Sequence, residues 1–449
     1  MSSKSNNSIS FDFHLILRII KLAKPHQAIV LLALVLTLIA TILAPIRPLL
    51  VQYTLDQPIA NKDIEGITTF SIFIFVHLLL NSIVIFGNTY VSNLLGQKVI
   101  EDLRMKVYKH IISMNSRFFD KSKVGMLVTR SVSDVETISS FFSQGFISIL
   151  GDLAQIIVVL GVMFYSSWQL TLISLCVLPL IIIASDFFRR GVRVSFQTVR
   201  AKVSQMNSFV QEQIVGMEVV QIFGKQNQEF EKFEKINREH REANKRSIFY
   251  YAIYFPIIEI LSSLALGLII FWSVGYPSEA SVGLISAFIL YINLIFRPIR
   301  FIADRFNTMQ MGMVSSDRIF ELLDDSSEVE KKGKQVLTDV NGAIDFKNVW
   351  FSYNEGVQVL KDVSFRVEPG KSLAIVGATG AGKSSIINLI TRLYECQKGD
   401  VMIDGVDVKN LDLKSLRRQI GVVMQDVFLF AGSVSENINL KNGDISSKQ

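Results

Sequence analysis

The stretch Leu153–Ser185 reads LAQIIVVLGVMFYSSWQLTLISLCVLPLIIIAS and contains no Asp, Glu, Lys or Arg over 33 residues. A single α-helix of this length would be about 50 Å long, well beyond the roughly 30 Å hydrocarbon core of a bilayer. We therefore predict two membrane spans that turn back on each other at residues 166–168. Gly66–Gln97 is also free of these charges, and 49% of the chain is hydrophobic. This composition indicates a membrane protein rather than a soluble protein with buried helices.

The same pattern predicts six spans, at about 28–53, 67–95, 138–165, 168–188, 248–273 and 281–303. Lys and Arg are concentrated in alternate connections: 96–137 holds eight and 189–247 holds twelve, whereas 54–66 holds one and 274–280 holds none. Cytoplasmic loops of membrane proteins are rich in Lys and Arg, so the alternation predicts that both termini lie in the cytoplasm. The net charge of +6 follows from this asymmetry, and we expect no nucleic-acid partner.

The first 26 residues precede the first span. The segment FDFHLILRIIKLAKP, residues 11–25, places three basic residues at helical spacing among Leu and Ile. We predict a helix that lies on the inner leaflet and stops at Pro25. The alternative is a cytoplasmic extension of the first span. The membrane domain would then cover residues 27–323, with its spans extended into the cytoplasm as long helices.

The pattern changes after the sixth span. Residues 324–342 are polar and charged, as expected of a linker. From residue 343 onward AIDFKNVWFSY alternates like a strand, SFRV and LAIVG are short apolar runs, and helix-like segments follow at 383–394 and 411–418. We predict that 343–449 is a soluble α/β domain.

The sequence GATGAGKSS at Gly377–Ser385 fits the phosphate-loop pattern G-x-x-x-x-G-K-[ST], with a predicted strand before it and a helix after it. Glycines let the backbone N–H groups close around phosphates, and the start of the helix adds partial positive charge. Lys383 is expected to reach the β- and γ-phosphates, and Ser384 to bind Mg²⁺. The loop predicts nucleotide binding.

Two more residues are candidates for the same site. Tyr353 lies before the loop, where its ring could stack on adenine, and Gln425 ends an apolar run, where its amide could reach Mg²⁺ and a water nucleophile. Each has an ordinary structural alternative, because Tyr353 alone would be a packed surface aromatic and Gln425 alone a polar residue at a strand end.

The order of FSY, GATGAGKSS, GDVMIDGVDV and LRRQIGVVMQDVFLFAGSVSENI resembles the nucleotide-binding domain of ATP-binding cassette (ABC) proteins. The six spans resemble the membrane domain of an ABC exporter of the half-transporter kind, including the multidrug and lipid exporters similar to MsbA. RFFDKSKVGMLVTRSVSDVETI at 117–138 and EQIVGMEVVQIFGKQNQEFEKF at 212–233 resemble the family's cytoplasmic segments. The matching positions in the first segment are Phe118, Phe119, Asp120, Gly125, Leu127, Arg130 and Asp134.

This resemblance implies a multi-domain membrane protein: a six-helix α transmembrane domain followed by an incomplete α/β phosphate-loop nucleotide-binding domain. It implies the cofactors ATP and Mg²⁺, coupling helices in the two cytoplasmic segments, and a second half-transporter as partner in a homodimer or heterodimer. The implied nucleotide-binding residues are Tyr353, Gly377, Ala378, Thr379, Gly380, Ala381, Gly382, Lys383, Ser384 and Ser385. The implied Mg²⁺ ligands are Ser384 and Gln425. Gln425 is the one catalytic candidate, sensing the γ-phosphate through the metal and relaying it to the coupling helices.

The family's domain continues past the glutamine loop through an L-S-G-G-Q signature, a strand ending in Asp-Glu and a switch histidine, none of which is in these 449 residues. We therefore expect a half-transporter truncated within its nucleotide-binding domain, from an incomplete gene or as a natural fragment. This chain is expected to bind nucleotide weakly and not to hydrolyse it, because phosphoryl transfer needs those parts.

The resemblance implies ATP-driven export or flipping of an amphipathic lipid or drug across the inner membrane of a bacterial cell. An ATP-gated channel or regulator is the alternative from another class. Charged residues in or near the spans are functional candidates, namely Arg47, Asp186, Glu259, Arg297, Arg300 and Asp304. Arg297 and Arg300 could attract an anionic head group; alternatively, they could extend to the cytoplasmic interface or pair with an acid such as Asp304.

Overall fold

The computed structural model describes residues 13–277, 279–326, 333–354, 356–425 and 427–439. The chain forms two compact units. The first, the membrane unit, runs up to Tyr108 and resumes over Val128–Leu322. The second, the nucleotide unit, comprises Lys109–Leu127 together with the chain from Leu323 onward. The first cytoplasmic segment is thus divided between the two units, and part of it belongs to the nucleotide unit.

Thirteen α-helices are described up to Asp324. They are α1 Phe13–Leu22, α2 Gln27–Leu43, α3 Ile46–Thr54, α4 Ile64–Ile111, α5 Ser116–Lys121, α6 Val124–Thr129, α7 Val135–Ser140, α8 Ile147–Ser166, α9 Trp168–Cys176, α10 Leu178–Val215, α11 Met217–Ile222, α12 Gln226–Gly275 and α13 Val282–Asp324. Short π-helical turns at Leu55–Ile59, Arg130–Asp134 and Phe141–Phe146 join neighbouring helices into longer rods.

The described chain contains six helical rods that are long and apolar enough to cross a membrane, as predicted. They are Lys24–Ile59, Ile64–Ile111, Val124–Ser166, Trp168–Val215, Gln226–Gly275 and Val282–Asp324. Rods of 36 to 50 residues are longer than a bilayer crossing of about 20 residues requires. The chain turns between the third and fourth rods at Ser167, whose extended backbone ends α8 and whose hydroxyl caps α9 by accepting from the N–H of Leu170.

The N-terminal helix α1 is separate from the first span. A 3-10 turn at Lys24–His26, with Pro25 in its first turn, divides it from α2. Ile16 and Ile19 on α1 are buried, and the Arg18 guanidinium lies 4.0 Å from the centre of the Phe320 ring. This break favours an independent helix over a continuous extension of the first span.

The core of the membrane unit lies among α8, α9, α10, α12 and α13. Phe288, Tyr291 and Phe296 on α13 are its largest fully buried side chains, and they pack with Met163 of α8 and Leu170 of α9. Because these three aromatics recur at three- to five-residue spacing, they share one face of α13. That face holds the sixth span against the other helices of the unit.

The nucleotide unit contains a four-stranded antiparallel sheet in the order β2-β1-β3-β4. Its strands are β1 Ile344–Phe351, β2 Leu360–Val367, β3 Lys398–Ile403 and β4 Val406–Asp407, and its helices after the linker are α14 Lys383–Ile390, α15 Leu413–Arg418 and α16 Val434–Asn439. Phe346, Val349 and Phe351 of β1 are buried with Leu389 of α14 and Leu416 of α15. The core therefore packs the helix that follows the phosphate loop against the sheet.

Two predicted strands are wrong. In the described residues of the nucleotide unit, neither LAIV before the phosphate loop nor the run ending at Gln425 forms a strand. Both runs are apolar yet open to solvent, with Val376 89% exposed and Val423 fully exposed. A strand is defined by hydrogen bonds to a neighbouring strand, so apolar β-branched sequence without a described partner strand stays irregular.

The predicted helices of this unit are shorter in the structure. The segment predicted at 383–394 is helical only over Lys383–Ile390, because Arg392 adopts a left-handed backbone with φ of 50°. The buried Arg392 guanidinium donates to the Leu411 carbonyl at 3.0 Å and to Glu395 at 2.9 Å, which fixes the turn. The segment predicted at 411–418 is helical over Leu413–Arg418, where Asp412 caps the N–H of Ser415.

Asp404, in the hairpin between β3 and β4, forms hydrogen bonds with the backbone just before β1. Its carboxylate accepts from the N–H groups of Asn341 at 2.8 Å, Gly342 at 3.2 Å and Ala343 at 2.8 Å. Burial acts to raise the pKa of Asp404, but these three donors outweigh it and hold that pKa below its ordinary value. The ionised carboxylate is therefore the form that the folded unit favours.

The stability of the nucleotide unit should depend on pH through Asp404. A lowered folded-state pKa adds stability above the ordinary pKa of 3.8, and this contribution is lost as the pH falls below it. We predict that Asp404→Asn lowers the urea concentration at which the sheet amides lose their protection from hydrogen exchange at pH 7. The same substitution should change this concentration much less at pH 3. An equal decrease at both pH values would contradict the assignment, and Asp400→Asn on the preceding strand β3 serves as the control.

Candidate functional site

The loop at Gly377–Ser385 leads directly into α14, as the phosphate-loop pattern predicts. Gly380 and Gly382 have φ values of 84° and 88°, a left-handed backbone that glycine adopts at little cost. Inside the loop the N–H of Ala381 donates to the carbonyl of Ala378 at 3.2 Å. The N–H of Ser385 donates to the carbonyl of Gly382 at 3.1 Å. The chain thus curls around the start of the helix.

Lys383 spans the loop with its side chain. Its Nζ donates to the carbonyl of Gly377 at 2.8 Å and to that of Ala378 at 2.7 Å. Lys383 is half-buried and is the only charged residue between Gly377 and Ser385. Ser384, the next residue, is exposed. An ammonium group and an open hydroxyl therefore lie side by side at the first turn of α14.

The loop offers hydrogen-bond donors of the kind that bind phosphate. A Cβ on Gly382 would lie 2.8 Å from Leu360, so the loop lies against the start of β2 with no room for a side chain at that point. Among the described residues, the N–H groups of Thr379, Gly380 and Gly382 donate to no other protein group. Free N–H groups and the start of a helix are the donors that bind phosphate, so these residues can hold it together with Lys383.

Tyr353 lies beside the loop in the same unit. Its hydroxyl is 3.0 Å from the Ser385 hydroxyl, and it accepts from the Asn388 amide at 3.1 Å. The side chain is half-buried. The predicted adenine-stacking residue and the end of the phosphate loop are therefore in direct contact. Ser385, 4% exposed, uses its hydroxyl to hold Tyr353, a role that the motif alone does not predict.

Gln425 is not held at the loop. It lies in an exposed bend and, in the part of the chain that the structure describes, forms no hydrogen bond. The structure thus brings Tyr353, Lys383 and Ser385 together around one loop and leaves Gln425 outside this network. Its predicted role as a ligand of Mg²⁺ and as a sensor of the γ-phosphate stays a prediction.

Sequence reasoning did not single out Tyr394. This half-buried residue follows α14 and lies with its ring centre 4.9 Å from that of Tyr353. Its hydroxyl donates to the Asp120 carboxylate on α5. The two residues are 274 positions apart, so no local pattern could have paired them. The only available signal was an aromatic residue shortly after the phosphate-loop helix.

A second polar cluster lies in the membrane unit on α13. Arg300 donates to the Ser262 hydroxyl at 3.1 Å, Arg297 is exposed, and Arg305 lies 3.0 Å from the carboxylate of Asp152 on α8. Among the described residues, neither Arg297 nor Arg300 forms an ion pair with Asp304, the acid named as one of their possible partners. Asp152 and Arg305, 153 positions apart, are the partners that the sequence did not reveal.

Six apolar rods joined to a phosphate-loop unit define the class of a membrane protein with an attached nucleotide-binding domain. The ABC transporter transmembrane region model matches residues 30–299, and the ABC transporter model matches 360–449. The chain therefore belongs to the ABC transporter family. Both matches agree with the family resemblance drawn from the motifs.

The similar proteins include exporters of two kinds. The chain is 33% identical to the uncharacterized ABC transporter ATP-binding protein YknV of Bacillus subtilis, over 98% of this chain and 74% of that protein. It is 30% identical to an ATP-dependent lipid A-core flippase of Methylobacillus flagellatus, over 97% of this chain and 74% of that protein. It is 31% identical to YheH of Bacillus subtilis, a probable multidrug resistance ABC transporter ATP-binding/permease protein, over 81% of this chain and 55% of that protein.

Proposed function

We propose that the chain is one half of an ABC exporter that uses ATP to move an amphipathic lipid or drug across the cell membrane. The observation that carries this proposal is a phosphate loop with unpaired N–H groups and a bridging lysine, in one chain with six apolar rods. Relatives named as a lipid A-core flippase and a multidrug transporter support both substrate classes. The alternation of basic loops supports cytoplasmic termini.

Each residue at the site has a distinct part in this proposal. The loop N–H groups and Lys383 bind the phosphates, Tyr353 stacks on the base, and Ser384 and Gln425 hold Mg²⁺. Bound ATP supplies free energy by favouring one arrangement of the helices over another. A second half-transporter, identical or related, would complete the assembly, because exporters of this kind generally dimerise.

The first test is ATP-dependent transport in lipid vesicles. It compares the 449-residue chain with a version extended by the C-terminal residues of the Bacillus subtilis relative YknV. We expect the extended version to move fluorescent lipid between leaflets against its gradient, and to stop when ATP is omitted or Lys383 is replaced by alanine. Movement that only runs down the gradient would instead favour an ATP-gated channel.

The head-group preference of the proposed exporter can be tested at Arg297. One basic residue contributes about 1 kcal/mol to the binding free energy of an anionic lipid, which corresponds to a factor of roughly five. Arg297→Glu should therefore slow the flipping of phosphatidylglycerol by roughly fivefold or more. Flipping of phosphatidylcholine should change little. Lys235→Glu makes the same charge change at another exposed position, on α12, and serves as the control. If Arg297→Glu flips phosphatidylglycerol as fast as the parent protein, and a double variant that includes Arg300→Glu does so too, this head-group site is ruled out.

A further inference from the structure

Three aromatic side chains form a cluster between the sheet and α14 in the nucleotide unit. The ring centres of Phe351 and Tyr353 are 4.8 Å apart, those of Tyr353 and Tyr394 are 4.9 Å apart, and those of Phe351 and Tyr394 are 5.8 Å apart. All three pairs are close to edge-to-face, the favoured geometry for aromatic rings. Phe351 is fully buried, so the two tyrosines pack against a ring that belongs to the core of the unit.

The hydroxyl of Tyr353 connects this cluster to the phosphate loop. It contacts the hydroxyl of Ser385, and the amide of Asn388 donates to it. Both partners lie on α14, which begins at Lys383. A ligand that displaces the ring of Tyr353 must therefore act on the ring of Tyr394 or on the first turns of α14.

The hydroxyl of Tyr394 connects the same cluster to the first cytoplasmic segment. It donates to Asp120 on α5, a helix whose start is capped by Asn115 accepting from the N–H of Phe118. Phe118 is buried, and α5 belongs to the segment Lys109–Leu127 that is part of this compact unit. Burial, followed by the bond to Asp120, raises the pKa of Tyr394, and its hydroxyl stays a donor at neutral pH.

We propose that Tyr394 is a positioning residue that makes α5 respond to the nucleobase held at Tyr353. The connection from Tyr353 through Tyr394 to Asp120 consists of one ring contact and one hydrogen bond within a single compact unit. It does not pass through Gln425, which the predicted mechanism used as the link to the cytoplasmic segments. This inference rests on the proposed function, because it requires ATP to bind at the phosphate loop.

The test measures hydrogen exchange of the α5 amides in the full 449-residue chain in nanodiscs. The probes are ATP and inorganic tripolyphosphate, which offers the phosphates without a base. We expect saturating ATP to slow exchange in Ser116–Lys121 and tripolyphosphate to have a roughly fivefold smaller effect. A fivefold difference corresponds to about 1 kcal/mol, the typical contribution of one hydrogen bond, here the bond of Tyr394 to Asp120 through which the base would act on α5.

Conservative variants separate the hydrogen bond from the packing. Tyr394→Phe keeps the ring, so its ATP affinity should stay within about twofold of the parent, while the effect of ATP on α5 falls to the level seen with tripolyphosphate. Asp120→Ala should behave in the same way, and the double variant should lose no more than either single one. Asp120→Asn retains an acceptor and should restore most of the response. Tyr108→Phe removes an exposed hydroxyl eight positions before α5 in the sequence and should leave the response unchanged.

An undiminished ATP effect on α5 in Tyr394→Phe would overturn the inference, and so would a tripolyphosphate effect as large as that of ATP. In both cases the parent still binds ATP, and the proposed function is unaffected. A parent chain that binds no ATP in the affinity measurement would reject the proposed function and this inference with it. The affinity and exchange measurements therefore distinguish the two failures.

Discussion

Replacement of Lys383 by alanine is expected to lower the affinity of the chain for ATP by roughly 100-fold. Lys383 carries the only full charge in the phosphate loop, and its ammonium already lies over the loop, bonded to the carbonyls of Gly377 and Ala378. Hydrogen bonds to charged groups contribute about 1.5–3 kcal/mol each. Losing about 3 kcal/mol of phosphate binding corresponds to a factor of roughly 100 in the dissociation constant.

The measurement is equilibrium binding of ATP to the full chain in nanodiscs. Lys371→Ala removes an exposed lysine a few residues before the loop and should leave the affinity within about twofold, because a distant exposed charge is screened by salt. Far-ultraviolet circular dichroism of both variants checks that the loss is not caused by unfolding. An ATP affinity of Lys383→Ala equal to that of Lys371→Ala would reject the role assigned to Lys383.

Patterns that depend on local sequence predicted much of the architecture. Long apolar runs with few charges identified the six membrane rods, because the bilayer requires about 20 apolar residues whatever the neighbouring helices are. Alternation predicted β1, although its buried residues Phe346, Val349 and Phe351 do not alternate strictly, because the strand bulges between Lys347 and Trp350. The phosphate loop was predictable because its chemistry resides in nine consecutive residues, Gly377–Ser385.

Features that depend on distant partners were not predictable in the same way. LAIV before the loop has strand-forming composition, but a strand also requires a neighbour, and composition cannot show whether one is present. The contact of Tyr394 with Asp120 and the ion pair of Arg305 with Asp152 join residues more than 150 positions apart. The π-helical turn at Arg130–Asp134 adds a residue to a helical turn without changing the apolar pattern that predicts the helix.

Gly399→Ala is expected to destabilise the nucleotide unit by roughly 4 kcal/mol, a large part of the 5–15 kcal/mol typical of a folded domain. Strand β1 bulges opposite Gly399, between its pairings of Lys347 with Asp400 and of Trp350 with Lys398. A Cβ on Gly399 would lie 2.3 Å from the Asn348 carbonyl oxygen and 2.4 Å from that of Lys347. These are backbone atoms of the central strand, so they cannot move aside as a flexible side chain can.

Gly405→Ala provides the matched control for this prediction. Gly405 and Gly399 have nearly the same left-handed φ, 82° and 80°, but a Cβ on Gly405 meets nothing within 4 Å. The backbone cost of about 1–2 kcal/mol is therefore common to both variants, and the remaining 1–3 kcal/mol of overpacking is confined to Gly399→Ala. Urea-dependent hydrogen exchange of the β1 and β3 amides in the full chain should show the larger loss for Gly399→Ala. Equal losses in the two variants would mean that β1 does not approach Gly399 this closely, and the bulged pairing of β1 with β3 would have to be redrawn.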